Sequence, residues 1–173
     1  TVAVGIVFTA ILHPYGLLNQ FFRALGLDFM AKNWLTDTKL ALLSVCGVEI
    51  WKWSGFNMVI ILAGLQAVPP EYQEAATIDG ANAWQKFWHI IFPGIRTIIA
   101  LQLILAIKGA ASVFEIPYII TGGKMGTSTF VIKTIETGFQ YQKIGLASAM
   151  AIVLLFIIIL ITIIQKIFFK EEK

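Results

Sequence analysis

The stretch Glu74-Ala75-Ala76-Thr77-Ile78-Asp79-Gly80, followed ten residues later by Ile90-Ile91-Phe92-Pro93, decides how this chain reads. It is polar and helix-prone, yet it lies between two apolar runs, 40–66 and 90–120, each long enough to cross a bilayer. Pro69-Pro70-Glu71 opens it as a helix start, because proline in a first turn sacrifices no intrahelical hydrogen bond and an acid there favours the helix dipole. That helix is expected from about Glu71 to Ile78 and ends at Asp79-Gly80, where glycine accepts a left-handed cap. Asn82 is placed to cap a second short helix running toward Phe92. The result is a lean helical hairpin over 67–89, with Ala75 and Ala76 adding little bulk. Such an element suits insertion into a groove on a partner in water.

Around the hairpin the composition is that of a membrane protein. The chain is 58% hydrophobic and 13% charged, against about 25% charged for soluble domains. Four apolar stretches stand out: 2–12, 40–66, 90–120 and 144–165, the last extending to about 168. The first is shorter than the roughly 20 residues a span needs. With no Met and no cationic leader before it, the opening reads as the second half of a cut helix in an N-terminally truncated fragment. Leu40–Gln66 would be about 40 Å long as a helix. Ile144–Gln165 carries no charge, is bracketed by Lys143 and Lys166, and opens on small residues, Gly145 to Ala149, suited to close helix packing. Only helices satisfy the backbone of such segments in lipid, so the expected fold is an all-α, polytopic transmembrane bundle forming one domain over 1–173.

Several functions are excluded or weakened. A net charge of +3 without a basic run gives nucleic acid no footprint. The single Cys46 precludes an intrachain disulfide or a cysteine metal cluster, and His13 and His89 are remote in sequence, so no metal site is expected. No G-x-x-x-x-G-K-[S/T] phosphate loop exists, and Gly123-Lys124 is followed by Met125. Thr127-Ser128-Thr129 reads instead as a helix-capping cluster. Any nucleotide chemistry therefore belongs to another chain. Counting cations does not orient the protein. Lys86, Arg96, Lys166, Lys170 and Lys173 lie on the loop side, against six on the other.

The Glu-Ala-Ala, three residues, Gly, nine residues, Ile-x-x-Pro spacing resembles the coupling loop of the membrane subunits of ATP-binding-cassette importers. Phe92 stands where that family usually has Leu, which keeps the position apolar. The likeness to the sugar-type branch covers nearly the whole chain. Tyr15-Gly16-Leu17-Leu18-Asn19, Gly26 and Trp34-Leu35 resemble its external loop. Trp51-Lys52-Trp53-Ser54-Gly55-Phe56 and Leu62-Ala63-Gly64-Leu65-Gln66 are similar to its second-span signature. Thr121-Gly122-Gly123 resembles its external turn without the usual following Pro, and Gly138, Phe139 and 145–149 fit the approach to its last helix.

The resemblance implies a type I permease fold in a bacterial or archaeal plasma membrane, with the loop in the cytoplasm. It implies a transport subunit rather than an enzyme, with no cofactor of its own and ATP bound by a partner ATPase subunit. A second permease, most simply in a heterodimeric pore, and an external solute-binding protein complete the implied assembly. Its cargo would be an oligosaccharide or a related sugar or polyol. Glu74, Ala75, Ala76, Asp79 and Gly80 would form the ATPase-coupling site, Glu74 as the charged contact and Gly80 as the turn.

A substrate path is expected on the face of the second span that carries Glu49, Trp53 and Phe56, spaced i, i+4, i+7. A carboxylate in a membrane helix needs water or a cation, and aromatic rings suit the apolar faces of a sugar. Lys52 or Lys108 would pair with the acid, and Ala110, Ser112 and Val113 on the next span would leave room opposite the rings. The structural alternative makes Trp51 and Trp53 interfacial anchors and Glu49–Lys52 a plain ion pair. A rival function is an ion- or proton-coupled secondary transporter using Glu49, Lys52, Lys108 and Glu115, although no repeated halves support it. A membrane-embedded enzyme would want clustered His, Asp or Cys, which the sequence lacks.

Overall fold

A computed structural model describes residues 1–168, apart from the side chains of Lys166 and Phe168. Lys170 and Lys173 of the charge count lie outside the described residues, and of Lys166 only the backbone is described. Among the described residues the regular structure is entirely helical: α1 (Val2–Leu12), α2 (Leu17–Ala24), α3 (Thr38–Gln66), α4 (Pro70–Ile78), α5 (Ala83–Lys86), α6 (Phe92–Ala111), α7 (Glu115–Thr121), α8 (Phe130–Ile135) and α9 (Ile144–Phe168). Two π-helical turns, Phe87–Ile91 and Glu136–Gln140, follow α5 and α8. Among the described residues, four stretches are long and apolar enough to span a membrane: Val2–Ala24, Thr38–Gln66, Ala83–Ala111 and Ile144–Gln165. The first is divided at His13, whose extended backbone (φ −60°, ψ 149°) is the conformation that Pro14 imposes on the residue before it.

The chain forms two compact units, one of residues 1–52 and 110–159, the other of residues 53–109 and the described residues from 160 on. In the first unit Leu12, Val45, Val48, Ile116 and Ile120 make the core, with Phe8 and Trp34 packed against it. Gly5 is required where α1 meets α7, since a Cβ there would stand 2.7 Å from Ile119. The segment after α1 is pinned by one buried amide. Asn19 Oδ1 accepts from Trp34 Nε1 (2.8 Å) and the Lys32 amide (3.2 Å), while its Nδ2 donates to the Lys32 and Pro14 carbonyls (2.9 and 3.1 Å). Every hydrogen-bonding position of this side chain is used, which offsets its burial. Asp37 then caps α3 by accepting from the Lys39 and Leu40 amides. Thr129 caps α8 through the Ile132 amide, as the sequence suggests, while Thr127 is buried and bonds to Thr121 and the Lys124 carbonyl.

The run over 90–120, read as one span, is divided. α6 stops at Ala111 and the helix restarts at Glu115. Pro117 explains the break: within a continuous helix it would lack the bond to Val113 and its ring would clash with that carbonyl, whereas the first turn of a new helix tolerates it. The same run also begins earlier than position 90, because the helical path is continuous from Ala83.

In the second unit, glycines bring the exit of α3 and the entry of α6 together. A Cβ on Gly64 would lie 2.4 Å from Ile98, and one on Gly94 would lie 2.8 Å from Val68. These contacts flank the chain that leaves and re-enters the spans, and they set the base on which α4 and α5 stand.

Candidate functional site

Short-range chemistry builds the hairpin. Pro70 begins α4 and Glu71 sits in its first turn. At the other end Gly80 adopts φ +78°, which lets its amide reach the Thr77 carbonyl (3.1 Å) and the Ala81 amide reach Ala76 (2.9 Å). Asn82 then starts α5 with a reciprocal capping box. Its Oδ1 accepts from the Gln85 amide (2.9 Å), and its own amide donates to Gln85 Oε1 (2.8 Å). Lys86 Nζ donates to Thr77 Oγ1 (3.1 Å) and ties the second helix to the first. A groove of about 440 Å³ runs under α4, lined by Val68, Tyr72, Ala76, Ile90 and Gly94. A smaller one of about 310 Å³ lies between α4 and α5, beside Asp79, Gln85, Lys86 and His89.

Of the residues singled out in the loop, Glu74, Ala75, Asp79 and Gly80 are exposed, and Ala76 turns partly into the grooves. The sequence reading missed Ile78. It is 87% exposed, more than any other large apolar side chain among the described residues, and it stands outside the apolar spans. Glu71, Glu74 and Ile78, at i, i+3 and i+7, share one face of α4. The signal was available as an apolar residue with no apolar neighbour in a polar loop, but it was absorbed into the motif.

Three charges of the first unit, Glu49, Lys52 and Glu115, come together. Lys52 Nζ lies 3.6 Å from Glu49 Oε2 and 3.8 Å from Glu115 Oε2, so one ammonium serves two carboxylates. Trp53 and Phe56 meet edge to face with centroids 5.8 Å apart, so these two rings do share a face of α3. The opposite wall is revised. Ala110 lies in the last turn of α6, but Ser112 and Val113 lie in the non-helical break before α7, not on a helix. Ala110, Ser112 and Val113 belong to the first compact unit, as does Glu49, whereas Trp53 and Phe56 belong to the second.

A multi-pass helical membrane protein with a capped hairpin between two spans is the class these observations define. Residues 1–171 match the family described as the binding-protein-dependent transport system inner membrane component, and the chain belongs to that family. It is 36% identical over 173 residues to the "Probable ABC transporter permease protein YurN" of Bacillus subtilis, covering 98% of this chain and 59% of that one. It is 34% identical over 171 residues to the arabinooligosaccharides transport system permease protein AraP of the same organism, covering 95% and 54%. With the sulfoquinovosyl glycerol transport system permease protein SmoG of Agrobacterium fabrum it shares 34% over 153 residues, covering 87% and 49%. A solved bacterial ABC transporter for import of the acidic polysaccharide alginate has the same fold, with TM-score 0.87 at 23% identity over 96% of this chain and 59% of that chain. The chain thus spans about half to three-fifths of the length of the proteins it matches. Its relatives are permease subunits for transport, not enzymes.

Proposed function

We propose that the chain is part of the permease subunit of an ATP-driven, binding-protein-dependent importer and that α4 is its docking element for a separate ATPase subunit. The observation that carries this reading is the hairpin itself. It is held rigidly by a glycine turn and a capping box, and its outer face presents Glu74 and Ile78 to solvent. A side chain as apolar as Ile78 gains free energy by leaving water, on the order of 1.5–3 kcal/mol when fully covered. Glu71 and Glu74 beside it favour a groove with a basic rim. ATP is bound and hydrolysed by the partner, and closure around α4 moves α3 and α6 through the Gly64 and Gly94 contacts.

An oligosaccharide or a related sugar derivative is the substrate class that the names of AraP and SmoG support. Trp53 and Phe56 supply rings for the apolar faces of such a substrate. The rest of the assembly is a second permease and an external solute-binding protein, in a plasma membrane with the hairpin on the cytoplasmic side. The test is uptake by vesicles carrying the full-length permease with its partners. Gly80→Val and Glu74→Ala should abolish ATP-driven uptake at unchanged permease abundance, and normal uptake in both would overturn the reading.

A further inference from the structure

The side of α5 turned away from α4 is a cluster of rings. Trp84 lies 5.7 Å from Trp88 and 6.3 Å from Phe87, centroid to centroid. Phe87 lies 5.2 Å from Trp88, and Phe92 closes the group at 5.0 Å from Trp88 and 6.2 Å from Phe87. The π-helical turn makes this possible. The Phe92 amide bonds to the Phe87 carbonyl, five residues back, which brings the two rings nearer to one face than an α-helical turn would. The opposite side carries the polar groups of the segment: Gln85, Lys86 and His89, with Ile90 beside them, line the groove toward α4. Trp84 is 69% exposed, and Trp88 and Phe87 are also exposed. The segment is therefore amphipathic, with its polar side already occupied and its aromatic side open.

Helix length identifies what covers that side. The helical path from Ala83 to Ala111 has 29 residues, or about 43 Å, against about 30 Å for the hydrocarbon core. Residues 92–111 alone fill the core, which leaves the turn at 83–91 in the headgroup layer. Tryptophan gains most at that boundary, where the ring meets acyl chain and the indole N–H meets an acceptor. Arg96, exposed one turn further in, has the stem length to reach back to the same layer. In water these rings would be an unexplained apolar patch, and in the hydrocarbon the groove on the other side would be stranded.

We propose that Trp84, Phe87 and Trp88 seat α5 in the headgroup–acyl boundary of the leaflet on the hairpin's side, so that the hairpin is tied to the membrane along α5 while α4 stays in water. Motion imposed on α4 then turns about a membrane-fixed second helix and passes into α6, instead of being lost as movement of the whole loop. The proposal concerns the lipid contact and stands whether or not α4 docks an ATPase.

Spin labels test it on the full-length permease in phosphatidylcholine vesicles, with Cys46→Ala as background. Labels at Trp84→Cys and Phe87→Cys should collide with oxygen in preference to a water-soluble nickel chelate, and a label at Glu74→Cys should show the reverse. Nickel collision at 84 and 87 equal to that at 74 would place the face in water. Exclusion of both reagents would place it against protein, and either result overturns the proposal. Trp84→Phe/Trp88→Phe keeps the rings and gives a second measure should the cysteine variants fail to fold. The emission that this double change removes should be lost on replacing the lipid by a brominated phosphatidylcholine and be insensitive to iodide. The opposite pattern would overturn the proposal.

Discussion

Gly80 carries the tightest requirement in the hairpin, and the requirement is one of backbone angle. Nothing lies within 4 Å of where its Cβ would be, so a larger residue meets no obstacle, only the cost of φ +78°. That cost is about 1–2 kcal/mol for an ordinary residue and higher for a β-branched one. Gly80→Val should therefore open the turn and uncouple uptake from ATP, while Gly80→Asn, which tolerates the left-handed region, should retain most of it. Loss of uptake in both variants alike would show that the left-handed backbone angle is not what requires glycine there. Ile78 makes the complementary case. Being solvent-exposed, it contributes little to the fold, so Ile78→Ser should leave thermal unfolding of the permease unchanged within about 0.5 kcal/mol. Its affinity for the ATPase subunit should fall about tenfold or more, as for an interface anchor. Lys133 sets the contrasting expectation. Its hydrogen bond to Glu136 (2.7 Å), and then that residue's charge, raise its pKa above the ordinary lysine range. A raised lysine stabilises below its unfolded pKa and loses that contribution only as pH climbs through the raised value. Lys133→Met should thus leave the shape of the pH profile of unfolding unchanged across neutrality.

At the scale of elements, the joint between α3 and α6 is the place where packing and transmission meet. Val68 is buried against Gly94, and valine has little rotamer freedom with which to retreat from an added Cβ at 2.8 Å. Gly94→Ala should cost about 1–3 kcal/mol through overpacking, and Val68→Ala in the same chain should restore most of it. Thermal unfolding in detergent measures both, and a double variant no better than the single one would refute the contact. The hairpin above this joint was legible in the sequence because proline, a left-handed glycine and an asparagine cap act within a few residues of themselves. Hydropathy alone did not show where α6 ends, since Val113 and Phe114 continue the apolar run past Ser112 and the break is imposed by Pro117 further on. The π-helical turn that gathers Phe87 and Phe92 was equally hidden, because it is a shift of backbone partners with no residue type of its own. The charges Glu49, Lys52 and Glu115 were visible as an anomaly, but their sharing of one ammonium required α7 to be brought to α3.

For the whole molecule, the question is which of the many exposed side chains of the spans meet water during transport. Exposure does not separate water from lipid: Ile50 is 71% exposed and Trp53 48%, on the same helix. Chemistry does separate them. A β-branched aliphatic gains nothing by facing an aqueous path, whereas Trp53 and Phe56 follow Glu49 in the sequence at i+4 and i+7, and its charge is tolerable in a membrane only beside Lys52 or water. The path should therefore run along 49, 53 and 56, and the lipid along 50. In full-length permease lacking Cys46, cysteines at 53 and 56 should react with a water-soluble thiol reagent when the transporter turns over, and the transported sugar should slow that reaction. A cysteine at 50 should stay unreactive and one at 74 should react throughout, becoming protected when the ATPase subunit is added. Reaction at 50 with silence at 53 and 56 in every transport state would put the path on the opposite face of α3 and make the two rings lipid anchors.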